Sequence, residues 1–311
     1  ALTEILPVIV GPTAGGKTEL AVELAIEIGG EVVSADSMQI YRGLDIGSGK
    51  ATEAERRGVP HHLIDIVDPD QRFTVKDWLV AAERAILEIR GRGRTPVVVG
   101  GTNLYIKALL EGLFEGPEPD ATVRAAVEAM PQAERRVELE RVDPEAAARI
   151  HTNDERRTVR ALEVFRQTGA PISGHQKQWD AAASLRPGVR MVGLDWPSGL
   201  INQRINARVK HMMAGGLLGE TRRLRDAGAF GEQSREGLGY KQLLEHLEGR
   251  CDLEAAVERI KIETRRFAKN QRTWLRRLRA TPGLESVWID CGATDPSGWP
   301  AVALGLIRPR S

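Results

Sequence analysis

The sequence predicts an α/β protein with a parallel sheet and a small, all-helical inserted domain. In the first hundred residues, apolar runs of strand length alternate with segments of helical periodicity. These runs end in glycine, proline and other residues typical of loops. After the linker-like Gly116–Pro119, the chain becomes rich in Ala, Glu and Arg up to about Ala183 and loses strand character. We therefore predict a discontinuous core of residues 1–116 and 188–311, and a helical insertion domain of residues 117–187.

The core elements follow one another in an order typical of a sheet covered by helices. The first strand, Ile5–Val10, is short and apolar, and leads into an amphipathic helix, Thr18–Ile28, which Gly29 and Gly30 end. The other predicted core elements are the strands Glu31–Ala35, Leu63–Val67, Pro96–Val99, Met191–Leu194 and Ser286–Asp290, a helix from the N-cap Thr74 to about Arg90, and helices between Ser198 and Arg279.

The composition is that of a soluble globular protein. Of 311 residues, 41% are hydrophobic and 28% charged, and the net charge of +1 excludes a generally polycationic protein. No run approaches the roughly 20 apolar residues of a membrane span, and Glu4 and Pro7 interrupt the N-terminal apolar run. The two cysteines, Cys251 and Cys291, are too few for a disulfide framework or a zinc cluster. We expect a cytoplasmic monomer, without a membrane segment.

Residues 11–18 form a phosphate-binding motif. They have the sequence GPTAGGKT, which satisfies G-x-x-x-x-G-K-[ST] between a predicted strand and a predicted helix. Glycines let consecutive backbone N–H groups point into one concavity, and the helix N-terminus adds partial positive charge. Lys17 would neutralise phosphate oxygens, and the Thr18 hydroxyl would hold Mg²⁺. The predicted phosphate-binding residues are Gly11, Pro12, Thr13, Ala14, Gly15, Gly16, Lys17 and Thr18.

The kind of phosphate is left open by these residues. A P-loop ATPase also has an apolar strand that ends in a magnesium-binding acid, whereas Pro96–Val99 is followed by Gly100, Gly101 and Thr102. Asp65 or Asp68 could supply such an acid, although an acid after an apolar run is common by chance. A loop that grips a pyrophosphate leaving group is the alternative.

Asp36 directly follows the second predicted strand. This position places it at the carboxyl edge of the sheet, beside the phosphate loop. A carboxylate there could accept a proton from a nucleophile that attacks next to the bound phosphates. Asp36-Ser37 is equally an ordinary helix N-cap, and spacing alone does not separate the two interpretations.

Seven segments together resemble the tRNA dimethylallyltransferases (tRNA isopentenyltransferases), in order along nearly the whole chain. They are GPTAGGKT at 11–18, DSMQIYRGLDIGSGK at 36–50, PHHLIDIVDP at 60–69, VVVGGTNLYIKALLEGL at 97–113, RALEVFRQTG at 160–169, REGLGYKQ at 235–242 and RRFAKNQRTWLRR at 265–277. These enzymes move a dimethylallyl group from its pyrophosphate to the exocyclic amine of the adenosine just 3′ of the tRNA anticodon. The resemblance implies a P-loop nucleotide-kinase-like core, Mg²⁺, dimethylallyl pyrophosphate as donor and a tRNA anticodon stem-loop as acceptor.

The resemblance also implies residue roles. Asp36 matches the acid that binds the adenine amine and serves as general base, and Thr102 matches a residue at the reaction centre. Lys17 and Thr18 match catalytic groups on the pyrophosphate and its magnesium. Arg204 and Arg208 resemble basic helix positions that face the leaving pyrophosphate. The implied tRNA-binding residues are Asp36, Ser37, Met38, Gln39, Thr102, Arg124, Arg156, Arg157, Thr158, Val159, Arg160, Lys269, Asn270, Gln271, Arg272 and Trp274. Asn270 departs from the arginine usual in the family, and Arg272 could supply the charge.

Residues 258–279 form a strongly basic predicted helix. They contain nine Lys or Arg and two Glu, in a chain of net charge +1. Such a stripe is typical of nucleic-acid binding, with a solvated charged face as the alternative. Spacings of three and four predict one packing face, made of Ile260, Thr264, Phe267, Gln271, Trp274 and Leu278.

Three other functions compete with a tRNA-modifying transferase. A small-molecule kinase would use the same loop, and an isopentenyltransferase for free adenine nucleotides would share the chemistry. An RNA-binding protein with an inactive loop is the third. The helical insertion and basic helix argue against a mononucleotide acceptor, and the intact Lys17, Thr18 and Asp36 argue against an inactive loop. His61 and His62 suggest a metal site, but adjacent side chains on an extended segment point apart, which favours a structural role.

Overall fold

The computed structural model describes residues 4–113, 116–176 and 185–308, and these include a six-stranded parallel sheet. The strand order is β3-β2-β4-β1-β5-β6. The strands are β1 Leu6–Val10, β2 Gly30–Ser34, β3 His61–His62, β4 Thr95–Gly100, β5 Val189–Asp195 and β6 Ser286–Asp290. The predicted α/β fold with a parallel sheet is confirmed.

Helices surround this sheet and make up the insertion. They are α1 Lys17–Ile28, α2 Glu53–Arg56, α3 Val75–Gly91, α4 Asn103–Glu111, α5 Ala121–Glu128, α6 Gln132–Val142, α7 Pro144–Arg149, α8 Glu155–Thr168, α9 Ser198–Ala214, α10 Leu217–Asp226, α11 Tyr240–Leu247, α12 Leu253–Arg279 and α13 Trp299–Ile307. Thr74 caps α3 as predicted, because its hydroxyl accepts the Asp77 N–H while the Asp77 carboxylate accepts the Thr74 N–H. Across the described ranges, none of the helices has the length and apolar character needed to cross a bilayer.

The third strand differs from the prediction. It is His61–His62, whereas the predicted strand Leu63–Val67 is wrong. Leu63 and Asp65 have φ of 62° and 56°, so the backbone turns where a strand would continue. His62 Nε2 lies 2.6 Å from a carboxylate oxygen of Glu31, which ties this short edge strand to β2.

The core lies on both faces of the sheet. In β1, Ile9 packs with α1 and the helices of the C-terminal segment, whereas Val8 and Val10 pack with α3 and α4. Parallel strands covered on both faces are apolar along their whole length, which explains why β1 and β4 are recognisable as short apolar runs. This arrangement leaves the carboxyl edge of the sheet to loops.

The chain packs as two compact units. One comprises Ala1–Leu110 and Leu185–Ser311, and the other comprises Glu111–Ser184, where the sequence predicted an insertion of residues 117–187. In the first unit, β1 pairs with β4 from the same half of the chain and with β5 from beyond the insertion. In the second unit, α5 to α8 pack around an apolar core that includes Val127, Leu139 and Leu162. The last part of the predicted helical stretch, residues 177–183, lies outside the described residues.

Candidate functional site

The phosphate loop, residues 11–16, connects β1 to α1 in a conformation that requires small residues. Ala14 and Gly16 have φ of 60° and 85°, and the Gly15 N–H donates to the Pro12 carbonyl at 3.1 Å. A Cβ on Gly15 would lie 2.8 Å from that carbonyl oxygen, and one on Gly16 would lie 2.9 Å from the Trp299 ring. The predicted loop is therefore closed on itself, with the unpaired N–H groups of the first turn of α1 behind it.

Two cations without carboxylate partners lie at this loop. Lys17 Nζ donates to the Pro12 carbonyl at 2.7 Å, and Arg208 donates to the Thr13 hydroxyl at 3.3 Å. Neither forms an ion pair with any carboxylate in the described parts of the chain. Burial, helped by the nearby Arg208 charge and opposed by Asp36, lowers the pKa of Lys17 to about 8, and burial also lowers the pKa of Arg208. Half-buried cations without counter-ions form a preorganised anion site.

Arg204 and two tryptophans support the loop from the C-terminal half of the chain. Arg204 donates to the Ala14 carbonyl at 2.8 Å, and its guanidinium lies 4.8 Å from the centre of the Trp196 ring. Trp196 Nε1 donates to the Gly15 carbonyl at 3.0 Å. The Trp299 ring meets Trp196 edge to face, with centroids 6.0 Å apart. These contacts hold the loop and leave the exposed Arg204 beside it.

Two cavities share a boundary at the anion site. The larger, of about 1170 Å³, is lined by the phosphate loop, residues 45–57 and the α9 side chains of Arg204 and Arg208. The smaller, of about 500 Å³, is lined by Asp36 and Thr102. Lys17, Thr18 and Arg208 line both. An anion held at these three residues would therefore lie between the larger cavity and the cavity that is lined by the candidate base.

Asp36 divides its two carboxylate oxygens between two environments. Oδ1 accepts the N–H groups of Met38 at 2.8 Å and Gln39 at 3.3 Å, which caps the turn after β2. Oδ2 receives no hydrogen bond from a described residue, and the side chain borders the smaller cavity. Thr102 Oγ1 accepts the Ser37 N–H at 3.0 Å, which joins this turn to the end of β4. The capping and general-base interpretations of Asp36 are therefore compatible.

Gln271, which the resemblance implies to be a tRNA-binding residue, joins two loops at the anion site. Its side chain is 2% exposed. Oε1 accepts the Thr13 N–H and Nε2 donates to the Gly101 carbonyl, both at 2.8 Å. One hydrogen bond on each amide atom thus fixes the phosphate loop to the β4–α4 loop, while Gln271 also lines the smaller cavity. Its contact with tRNA stays a prediction.

The side-chain amide of Gln39 also forms hydrogen bonds within the protein. Oε1 accepts the Ser34 hydroxyl at 3.0 Å, while Nε2 donates to the Gly49 carbonyl at 3.4 Å. Gln39 and its neighbours Ser37 and Met38 all line the smaller cavity. Within this turn, the side chains of Asp36, Ser37 and Met38 line the cavity and make fewer hydrogen bonds to neighbouring loops than Gln39 does.

The buried face of α12 differs in part from the predicted packing face. Ile260, Gln271 and Leu278 are buried as predicted, and Trp274 is half-buried against the core. Phe267 is 41% exposed, so its assignment to the packing face is wrong. The buried residues of the helix are Ala256, Ile260, Ala268, Gln271, Leu275 and Leu278. The face is thus rotated away from Phe267, which borders the smaller cavity instead.

The cations in the middle of α12 form no ion pair with a described carboxylate, whereas Arg259, Lys261 and Arg279 of the same basic stripe pair with Glu245, Glu258 and Asp195. Arg266 and Lys269 are exposed. Arg265 donates to the Asn206 side chain at 2.6 Å, and Arg272 donates to the Ser198 hydroxyl at 2.5 Å. Asn270, which replaces the usual arginine, is exposed and borders the smaller cavity. This middle part of the stripe is therefore free to meet an external polyanion.

In the insertion, the predicted tRNA-binding side chains range from buried to exposed. The Glu163 carboxylate, 0% exposed, accepts hydrogen bonds from Arg124 and Arg160, each at 2.9 Å. Thr158 and Val159 are buried, because they lie on the face of α8 that packs into the helical core. Arg156 and Arg157 are exposed, and the predicted tRNA contacts of this segment stay predictions.

Glu220 and Tyr240 form a contact that the sequence analysis missed. The Glu220 carboxylate, 3% exposed, accepts N–H groups of residues 45–47 at 3.0–3.3 Å and the Tyr240 hydroxyl at 2.6 Å. Burial and the adjacent carboxylate raise the pKa of Tyr240, which keeps the phenol a donor. A Cβ on Gly47 would lie 2.4 Å from the Tyr240 ring. This pair fixes the loop that faces the phosphate cavity.

The acids considered for magnesium are also used internally. Lys50, whose side chain is 5% exposed, pairs with Asp45 at 2.8 Å and with Asp65 at 2.5 Å. Asp68 pairs with Arg42 at 2.7 Å. Three potential metal-ligating side chains do not cluster anywhere in the described ranges. Both acids that an ATPase-like magnesium site could use are thus ion-paired with a cation.

The fold and the site define a P-loop protein whose anion cradle opens toward a carboxylate. The chain belongs to the IPP transferase family, whose model matches residues 39–278, and an isopentenyl transferase model matches residues 4–69. The resemblance inferred from the motifs is thereby confirmed.

Individual relatives cover most of the chain. It is 42% identical over 303 residues to the tRNA dimethylallyltransferase of Carboxydothermus hydrogenoformans, covering 94% of this chain and 93% of that protein. The full-length tRNA isopentenylpyrophosphate transferase structure from Bacillus halodurans matches with a TM-score of 0.71 and 38% identity, covering 98% and 97%. A eukaryotic dimethylallyltransferase acting on tRNA matches with a TM-score of 0.79 and 28% identity, covering 97% of this chain and 76% of that one.

Proposed function

We propose that this chain transfers a dimethylallyl group from dimethylallyl pyrophosphate to the exocyclic amine of the adenosine 3′ of a tRNA anticodon, and releases pyrophosphate. The observation that carries the proposal is the junction of the two cavities. There, Lys17 and Arg208 are half-buried without carboxylate partners among the described residues, and Asp36, whose Oδ2 accepts no hydrogen bond from a described residue, lines the adjoining cavity. Membership of the IPP transferase family and the names of the relatives support the same reaction.

Each step of the transfer has a residue suited to it. The bond from the allylic carbon to the pyrophosphate oxygen breaks, while that carbon forms a bond to the adenine nitrogen. Lys17, Arg208 and the loop N–H groups stabilise the charge that develops on the leaving pyrophosphate. Asp36 Oδ2 accepts the proton that the amine loses, which a weak aromatic nucleophile requires. Thr102 holds the turn that carries Asp36 through the Ser37 N–H.

The shape of the site supplies the remaining requirement, which is alignment. The donor would enter the larger cavity and the adenine the smaller one, so that amine and allylic carbon meet at the boundary. Holding two reactants in line replaces a bimolecular encounter by an effectively unimolecular step. The adenine must leave the anticodon-loop stack to do so, at a cost of about a few kcal/mol.

We propose Mg²⁺ as the cofactor of the bound pyrophosphate. The Thr18 hydroxyl borders both cavities and forms no hydrogen bond with a described residue, so it is free to act as a metal ligand. Mg²⁺ commonly retains waters and takes further oxygens from substrate phosphates, which suits a site with a single protein hydroxyl. When bound, the ion would add positive charge at the leaving group.

The tRNA would be held by the α12 stripe and by the insertion. Arg266, Lys269 and Arg272 on α12 have no carboxylate partner within the described ranges, and Arg156 and Arg157 are exposed on α8. Phosphate contacts of this kind supply affinity and orientation rather than sequence selection.

The proposed function is tested by incubating the protein with dimethylallyl pyrophosphate, Mg²⁺ and unmodified tRNA, followed by nucleoside mass spectrometry. We expect N6-dimethylallyladenosine in the tRNA and an equal amount of released pyrophosphate. Parallel reactions with ATP and with free AMP as acceptor separate the alternatives. Consumption of ATP without prenylation would indicate a kinase, and preferential prenylation of AMP would indicate an enzyme for free nucleotides.

A further inference from the structure

Phe267 is the exposed aromatic residue of the described structure. Its side chain is 41% exposed, whereas every other described Phe, Tyr and Trp is buried or half-buried. Leaving an aromatic ring in water forgoes a burial free energy that the core normally gains. The position of Phe267 therefore requires an explanation outside the packing of α12.

The surroundings of Phe267 indicate a polyanionic partner with flat apolar faces. The residue borders the smaller cavity together with Asn270, on the same wall as Arg266. Arg266 and Lys269, on either side of it in sequence, are exposed and form no ion pair with a described carboxylate. Ile262, on the same helix and 45% exposed, provides a contrast because it does not border the cavity. An exposed π-face between cations beside a cavity is the combination with which proteins bind single-stranded nucleic acid.

We propose that Phe267 stacks on an anticodon-loop base that flanks the target adenosine. This inference rests on the proposed function, because it takes the target adenine into the cavity of Asp36. When the adenine flips out, the flanking base loses its stacking partner. Phe267 replaces that partner from the cavity mouth. The target base itself must reach Asp36 on the cavity wall, so the exposed ring is left for its neighbour. Phe267 is then a positioning residue that lowers the cost of flipping.

The first test compares four variants for binding to an anticodon stem-loop. Phe267→Ala should weaken binding roughly 5- to 150-fold, the usual range for one base–aromatic stack. Phe267→Leu keeps apolar volume and should not restore affinity, whereas Phe267→Tyr should. The matched control, Ile262→Ala, removes a similarly exposed apolar side chain from the same helix and should bind within about twofold of the parent. Because stacking involves no counter-ion release, the salt dependence of binding should stay unchanged in Phe267→Ala.

The second test locates the stacked base. Stem-loops carrying 2-aminopurine immediately 5′ or 3′ of the target are bound to the parent protein and to Phe267→Ala. We expect one of the two probes to be quenched by the parent protein and to brighten in the variant, with no change in Ile262→Ala. Parent-like binding by Phe267→Leu, or two probes indifferent to Phe267, would overturn the inference. The proposed function fails separately, if the parent protein forms no prenylated adenosine.

Discussion

At the scale of single residues, Asp36 shows how one side chain can serve both structure and chemistry. Its Oδ1 caps the turn after β2 through two backbone N–H groups, and its Oδ2 is left for the cavity. The sequence supports both roles equally, because Asp-Ser after a strand predicts a cap as readily as a catalytic acid. The two-oxygen carboxylate makes them compatible.

Asparagine at position 36 separates these two roles. Asp36→Asn keeps a side-chain oxygen for the Met38 and Gln39 N–H groups but cannot accept the amine proton, whereas Asp36→Ala loses both functions. We expect both variants to lower the single-turnover rate by roughly 100-fold or more at saturating tRNA. Only Asp36→Ala should also lose about 1 kcal/mol of stability in urea unfolding. Rates near that of the parent protein in Asp36→Asn would remove the carboxylate from the mechanism.

The protonation state of Lys17 should make the use of dimethylallyl pyrophosphate depend on pH. Its pKa of about 8 means that the ammonium is present below pH 8 and is lost as the pH rises through that value. We expect kcat/KM for dimethylallyl pyrophosphate to fall above about pH 8, since this ratio reports the free enzyme. The corresponding fall in kcat should occur at a higher pH, because bound pyrophosphate favours the charged form of Lys17. A kcat/KM profile that stays flat well above pH 8 would contradict the role of Lys17 in donor capture.

At the scale of elements, sequence patterns correctly predict the features whose structure depends only on neighbouring residues. The phosphate loop, α1 and the cap of α3 depend on a few neighbouring residues, and their predictions are confirmed. The third strand was wrong because the turns at Leu63 and Asp65 depend on positive φ, which an apolar run does not reveal. For α12, the periodicity predicts that one face is apolar but not which part of the core packs against it. The predicted buried face therefore wrongly includes Phe267.

The basic stripe of α12 predicts a change in salt dependence. Arg266 and Lys269 are exposed and unpaired with any described carboxylate, so replacing both with Gln should leave the fold intact. For each phosphate that the protein no longer neutralises, the slope of log affinity against log salt should become shallower by about 0.7 to 0.9. The rate of chemistry on bound tRNA should stay near that of the parent protein.

The control for this experiment is the same change of charge elsewhere. Arg222 and Arg223 on α10 are exposed, and replacing both with Gln removes two positive charges outside the stripe. We expect the slope to stay the same in that variant. Equal slopes for the parent protein and the Arg266/Lys269 variant would mean that the stripe is a solvated surface.

At the scale of the whole molecule, the site is assembled from both halves of the core. Gln271 holds the N-terminal phosphate loop, and Glu220 holds residues 45–47, across 258 residues in the first case and at least 173 in the second. The sequence contains both residues but no pattern that pairs them with distant backbone N–H groups. The strand order repeats this division, with β1 between β4 and β5. Contacts of this kind were therefore beyond sequence analysis, although the discontinuous core itself was predicted.

This organisation predicts that the core folds without the insertion. The chain leaves and re-enters the first unit at one place, because the Arg186 N–H donates to the Leu110 carbonyl at 2.8 Å. Replacing residues 112–184 with a short Gly/Ser linker should therefore close the gap without strain and leave all six strands in place. We expect cooperative unfolding and pyrophosphate binding, measured by calorimetry, close to those of the intact chain.

Prenylation of full-length tRNA should fall strongly, because Arg156 and Arg157 are removed with the insertion. The intact chain with both arginines changed to Gln is the milder control and should lose less. Full activity on tRNA after excision would show that the insertion is not a tRNA-binding element, whereas failure to fold would show that the core depends on it.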